Sequence, residues 1–188
     1  MGRIITAAIL FADLRAFTPL ADRFPPLRVV EWLDRHLEAA GGAIAARGGE
    51  ILKLMGDGLL AVFPADEPGL TEEAACSQAL AAAEDALART AALDAELRRR
   101  DEPGLDLDIA LHFGEVVYGN VGADRRLDFT VIGRAVNEAS RLEELCERLD
   151  RFLLLSAPFA GRCGRPTASL GSFGLRGAGA EIEVHVPA

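Results

Sequence analysis

Cysteine, histidine and the large aromatic residues are scarce in this 188-residue chain, which carries three Cys, three His, one Trp and one Tyr. Cys76, Cys146 and Cys163 are scattered, with no C-x-x-C and no close histidine, so neither a zinc site nor a disulfide framework is suggested. This is the cysteine usage of a reducing cytosol. His36, His112 and His185 stand alone, without H-x-x-x-H or a paired Ser or Cys nucleophile, so a hydrolytic triad has no support. Basic residues are also in deficit: 20 Lys and Arg against 29 Asp and Glu leave a formal net charge of -9. Counterion-driven nucleic-acid binding is thereby disfavoured, and a polyanionic partner would have to be small and met locally. No uninterrupted apolar run reaches the roughly 20 residues of a membrane-spanning helix, and no basic region followed by a hydrophobic segment opens the chain. The reading is a cytoplasmic protein whose own residues make no membrane contact. Long linkers, repeats and low-complexity stretches are missing too, so residues 1–188 are expected to form a single domain.

What is present is apolar: half of the residues are hydrophobic, enough for a substantial core. Residues 4–11 form a short β-rich run that ends at Asp13, where a charge sits at a strand rim. Val29, Val30, Leu33, Leu37 and Ala40 then recur at helical spacing. Pro25-Pro26 splits a short helix from this longer one, and Gly41-Gly42 and Gly48-Gly49 punctuate its end. Residues 50–54 and 59–63 are two strands around Met55-Gly56-Asp57-Gly58, where Asp-Gly signals a hairpin. Thr71 caps a long Ala-rich helix, with Glu72 and Glu73 in its first turn, Arg98, Arg99 and Arg100 in its last, and Pro103-Gly104 as its stop. A second strand pair, 105–112 and 115–121, is expected around Phe113-Gly114, followed by a helix over 137–149 and closing strands near 152–155, 170–175 and 182–186. The order β-α-β-β-α-β predicts an α+β class: a ferredoxin-like sandwich of one antiparallel sheet and one helical layer, with additional C-terminal strands.

Two carboxylates stand at breaks in apolar strands, Asp13 and Asp57. On neighbouring strands they can converge, and such a pair holds hard divalent cations for phosphoryl chemistry, with the backbone carbonyl of Leu14 available as a further ligand. Read singly, Asp57 is a turn former and Asp13 a capping or loop residue. Lys53 lies four residues before Asp57 on a strand, and Asn137 and Arg141 share a helix face at i and i+4; each alone is an ordinary solvated residue. The Gly-rich run 114–122 lacks Gly-Lys-Ser/Thr, so its glycines serve turns and close packing and not a Walker-type phosphate loop.

Together these parts are far more specific. FADLRAFT at 11–18, KLMGDG at 53–58, HFGEVVYGNVG at 112–122, DFTVIG at 128–133 and VNEASRLE at 136–143 resemble, in order and spacing, the catalytic domain of class III nucleotide cyclases. The resemblance covers almost the whole chain and is most similar to bacterial adenylate cyclases with Thr at the base-selecting position. It implies that Asp13 and Asp57 bind two magnesium or manganese ions, with Leu14 lending its carbonyl. It also implies that Lys53 and Thr130 select the base, that Asn137 and Arg141 orient the ribose and stabilise the transition state, and that Arg176 lies near the terminal phosphates. The implied enzyme is a head-to-tail homodimer in which one protomer gives the metal aspartates and the other the base, ribose and phosphate contacts. Its substrate is ATP, and its products are cyclic AMP and pyrophosphate.

Three positions depart from the family pattern. Ala16 stands where glycine is frequent. Asp108 stands where many members have a basic residue, which is expected to weaken the positive field around the triphosphate. Arg134 replaces small or acidic residues, which is expected to alter the dimer groove or to compensate. The alternatives are a catalytically inactive nucleotide-binding module and a guanylate or diguanylate cyclase; Gly48-Gly49-Glu50 imitates part of a Gly-Gly-Asp-Glu-Phe signature but precedes the hairpin strand instead of forming its turn. An upstream sensor domain in a longer parent chain is compatible with the position of the first strand.

Overall fold

A computed structural model describes residues 2–66, 68–123, 126–174 and 181–188, with backbone alone at 121–123 and 126–128. In chain order the elements are β1 (Arg3–Leu14), α1 (Phe17–Ala21), α2 (Pro26–Ala46), β2 (Glu50–Met55), β3 (Gly58–Pro64), α3 (Glu72–Arg98), β4 (Leu107–Ala123), β5 (Arg126–Ile132), α4 (Arg134–Leu149), β6 (Leu153–Ser156), α5 (Ala157–Ala160), β7 (Thr167–Gly174) and β8 (Glu181–Pro187). The strands lie in the order β2-β3-β1-β4-β6-β8-β7, with β5 paired to β4. The first four give the ferredoxin-like core, and β6, β8 and β7 extend it. β4 and β6 run parallel and the other described pairs antiparallel.

β1 is buried on both faces, and its alternation sorts the core. Ala8, Leu10 and Ala12 pack with Leu59, Ala61 and Phe63 of β3 against α2 and α3. Ile5, Ala7 and Ile9 point the other way and meet Ala135 and Ala139 of α4. The sheet therefore separates two helical layers where the sequence pattern predicted one, because α4 lies across the face opposite α2 and α3. β4 also departs from expectation: it runs unbroken through Phe113-Gly114, and the hairpin partner of its second half is β5. Gly114 marks close packing and not a turn, since a Cβ there would lie 2.7 Å from the Cβ of Ala135 in α4.

The expected break at Pro25-Pro26 does separate α1 from α2, whereas α2 continues through Gly41-Gly42 to Ala46. α3 is capped as expected, its Thr71 hydroxyl accepting from the Ala74 amide at 3.0 Å. All three cysteines are buried and free. Among the described residues no helix is long and apolar enough to cross a membrane.

Candidate active site

β1 ends at the site. Ala12 pairs with Leu59 of β3 on one side, and Asp13 pairs with Asp108 of β4 on the other. The β2–β3 hairpin turns through Gly56-Asp57 and enters β3 at Gly58, so its tip is laid beside Asp13. A Cβ at Gly58 would lie 2.7 Å from Asp13 Oδ1 and 2.8 Å from the Ala12 carbonyl oxygen. Only glycine lets the hairpin carry Asp57 so close. Asp13 senses its neighbours: burial, with the charge of Asp57 next, pushes its carboxyl up to about 6, against the hydrogen bond from the Leu14 amide.

Asp13, Leu14 and Arg141 line one cavity of about 400 Å³ together with Arg15, Asp108 and Glu143. Sequence reasoning assigned no role to Glu143. Burial, then the charges of Asp13, Asp108, Glu144 and Asp57, raises its carboxyl to about 8. Helical spacing does hold a signal for it, since Glu143 follows the buried Ala139 by one turn and so sits on the sheet-facing edge of α4.

Asp108 is buried at 3% exposure and engaged by Arg15 through both oxygens, at 2.7 Å from Nη2 and 3.0 Å from Nε. Its expected weakening of the local positive field is therefore offset inside the same chain by a permanent cation. Arg134 is exposed on α4, where its Nε donates to Glu138 one turn on at 2.7 Å, and Glu138 in turn lies 3.3 Å from His112 Nε2. His112 is buried and desolvation holds its pKa down to about 4, so it is neutral, in keeping with a packing role.

Asp57, Lys53, Thr130 and Asn137 do not line this cavity. Lys53 is exposed on β2 and Thr130 is buried on β5, two strands that approach one another. A hydrogen bond of 2.5 Å from the Tyr118 hydroxyl to Glu50, and an edge-on contact of Tyr118 with Phe129, tie β4 and β5 to the base of that hairpin. Asn137 is exposed on α4, one turn before Arg141. Arg176 lies outside the described residues.

Asp13, Asp57 and the Leu14 carbonyl make a donor set of hard oxygens, the chemistry that Mg²⁺ and Mn²⁺ prefer, and the missing Cβ of Gly58 leaves room beside the Asp13 carboxylate. Among the described residues no three His, Cys, Asp or Glu side chains are grouped to hold a metal.

Residues 1–150 match the adenylate and guanylate cyclase catalytic domain. The chain belongs to that family. It is 32% identical over 170 residues to an adenylate cyclase of Anabaena cylindrica, covering 89% of this chain and 32% of that protein. With adenylate cyclase 2 of Rhizobium meliloti the identity is 33% over 180 residues, 93% of this chain and 48% of that one. The cyclase domain thus spans about a third to a half of the length of these relatives. In fold it superposes on the crystal structure of the adenylyl cyclase CyaB from P. aeruginosa with a TM-score of 0.90 at 22% identity, over 100% of this chain and 96% of that one. The superposition includes the added C-terminal strands.

Proposed function

We propose that this cyclase domain, over residues 1–188, is an adenylate cyclase that converts ATP to 3′,5′-cyclic AMP and pyrophosphate as a homodimer. The observation that carries the reading is a division of the polar set. Asp13 and Leu14 line the cavity at the end of β1, with Asp57 on the adjoining hairpin tip, while Lys53 and Thr130 lie on β2 and β5 and do not line it. A two-fold axis would bring one protomer's base-reading pair to the other's carboxylates, and each hairpin would serve both sites. Exposed apolar side chains support such an interface: Ile4, Val117 and Ile132 are paired across β1, β4 and β5, and Leu54 and Met55 on β2 and Phe129 on β5 are exposed as well.

Asp13 and Asp57, with the Leu14 carbonyl, would hold two magnesium or manganese ions. Such ions lower the pKa of the ribose 3′-hydroxyl and offset charge on the triphosphate. Lys53 donates to adenine N1 and the Thr130 hydroxyl accepts from the N6 amino group; guanine presents the reverse polarity at both atoms. Asn137 orients the ribose for in-line attack of O3′ on the α-phosphorus. Arg141 stabilises the charge that develops on the phosphoryl oxygens, a contribution of about 3–4 kcal/mol by analogy with oxyanion donors. Arg176 is assigned to the terminal phosphates. The relatives named adenylate cyclase favour the same base.

The test is incubation of the purified chain with manganese and equimolar ATP and GTP, with products identified by mass and Asp57→Ala as control. Cyclic AMP that disappears in the variant is the expected result. Cyclic GMP as the main product would overturn the assignment of Lys53 and Thr130, and absence of any cyclic nucleotide at high protein concentration would overturn the homodimeric enzyme.

A further inference from the structure

Asp57, Asp13 and Asp108 stand abreast at one end of the sheet: the hairpin tip on one side of Asp13, and Asp108 directly opposite it in the β1–β4 register. Side chains of directly paired residues share a face, and the Asp108 charge is felt at the Asp13 carboxyl, although the three carboxylates are not grouped to hold a metal while Asp108 is restrained. The structure shows what restrains it. Arg15 takes both Asp108 oxygens in a two-pronged pair, at 2.7 and 3.0 Å. The rest of its fork is also committed: Nη1 donates to Asp150 at 3.2 Å, and Nη2 donates to the carbonyls of Arg151 at 3.2 Å and Cys146 at 3.4 Å. The guanidinium sits 4.4 Å above the Phe152 ring. The guanidinium borders the cavity, but its donors are committed to these partners and not to a phosphate.

We infer that Arg15 is a positioning residue which holds the Asp108 carboxylate out of the metal ligand set, leaving Asp13 and Asp57 as its two carboxylates. This rests on the proposed metal role of those aspartates. Hard divalent cations accept additional oxygen ligands readily, so a released Asp108 would join Asp13, hold the cation more tightly, and draw it toward β4 and away from Asp57. Tighter binding with slower turnover is the signature; because loss of the Arg15 charge by itself also tightens cation binding, the variant that keeps the charge, Arg15→Lys, separates ligand release from simple electrostatics.

The experiment titrates Mn²⁺ into nucleotide-free protein, reading free Mn²⁺ by electron paramagnetic resonance, with cyclic nucleotide formation measured in parallel. Arg15→Gln is expected to bind Mn²⁺ about tenfold more tightly while turning over at least about thirtyfold more slowly. Adding Asp108→Asn is expected to return the affinity to within about threefold of the parent and to restore most of the turnover. Unchanged or weaker Mn²⁺ binding in Arg15→Gln, or a turnover defect that persists in the double variant, would overturn the inference. Arg15→Lys keeps the charge, but one ammonium cannot span both Asp108 oxygens, so a smaller tightening that is abolished by Asp108→Asn is expected; no tightening in Arg15→Lys would overturn the inference. Parent binding that is insensitive to Asp57→Asn would instead overturn the metal assignment itself, independently of Arg15.

Discussion

Glu143 reaches the cavity from α4 above Asp13 and Asp108, and that crowding makes the free protein sensitive to pH. Its folded pKa of about 8 lies above the ordinary carboxylate value, so the folded state binds more protons than the unfolded chain between the two. Stability conferred in this way is fully present at low pH and is lost as pH rises through about 8. Asp13, at about 6, acts in the same sense at lower pH. His36 and His112 oppose it there, because both are buried neutral with pKa values near 4 and destabilise the fold as pH falls below the ordinary histidine value. The clean window is therefore roughly pH 6.5 to 8. Urea titrations without divalent metal should show unfolding free energy falling across it, and Glu143→Gln should flatten the slope; a profile that rises in the parent would refute the assignment. Asp13, Asp57, Lys53, Asn137 and Arg141 were all legible as residues, through motif and spacing. Arg15 was not, because its partner Asp108 is 93 positions away and nothing local couples them.

At the scale of elements, the turn between β1 and α1 explains one departure from the family pattern. Ala16 caps α1 with φ 54° and ψ 29°, the left-handed region, which costs an L-residue about 1–2 kcal/mol relative to its preferred wells. Glycine has no such penalty, although it loses more chain entropy on folding. Ala16→Gly is accordingly expected to stabilise the domain by about 0.5–1 kcal/mol, read as a shift of the urea midpoint with unchanged slope; a destabilised variant would contradict it. The β2–β3 hairpin and the capped α3 were legible because Asp-Gly and Thr71 act on their own neighbours. β4 was misread as two strands because Gly114 resembles a turn residue in sequence. Its reason is the approach of Ala135, 21 positions later, which has no local trace.

For the molecule as a whole, shape and charge pull in opposite directions. The Ile4, Val117 and Ile132 stripe, with Leu54, Met55 and Phe129, favours covering by a second copy, yet each protomer carries a net charge of -9. Long-range repulsion between exposed charges is screened beyond about 10 Å at 0.1 M salt. Association of the proposed dimer should therefore tighten as salt is raised from about 0.02 to about 0.2 M, measured by sedimentation equilibrium; a dimer that is tight at low salt and loosens as salt rises would count against it. Periodicity, turn residues and motif order were sufficient for the βαββαβ core and the family, since each depends on neighbours within a turn or a hairpin or on motifs read in order along the chain. The side of the sheet taken by α4, the meeting of Asp13 with Asp57, the burial that moves Glu143 and the hold of Arg15 on Asp108 depend on contacts between distant segments. Those contacts come into being only when strands far apart in the chain pair and exclude water, which is why the folded structure alone decides them.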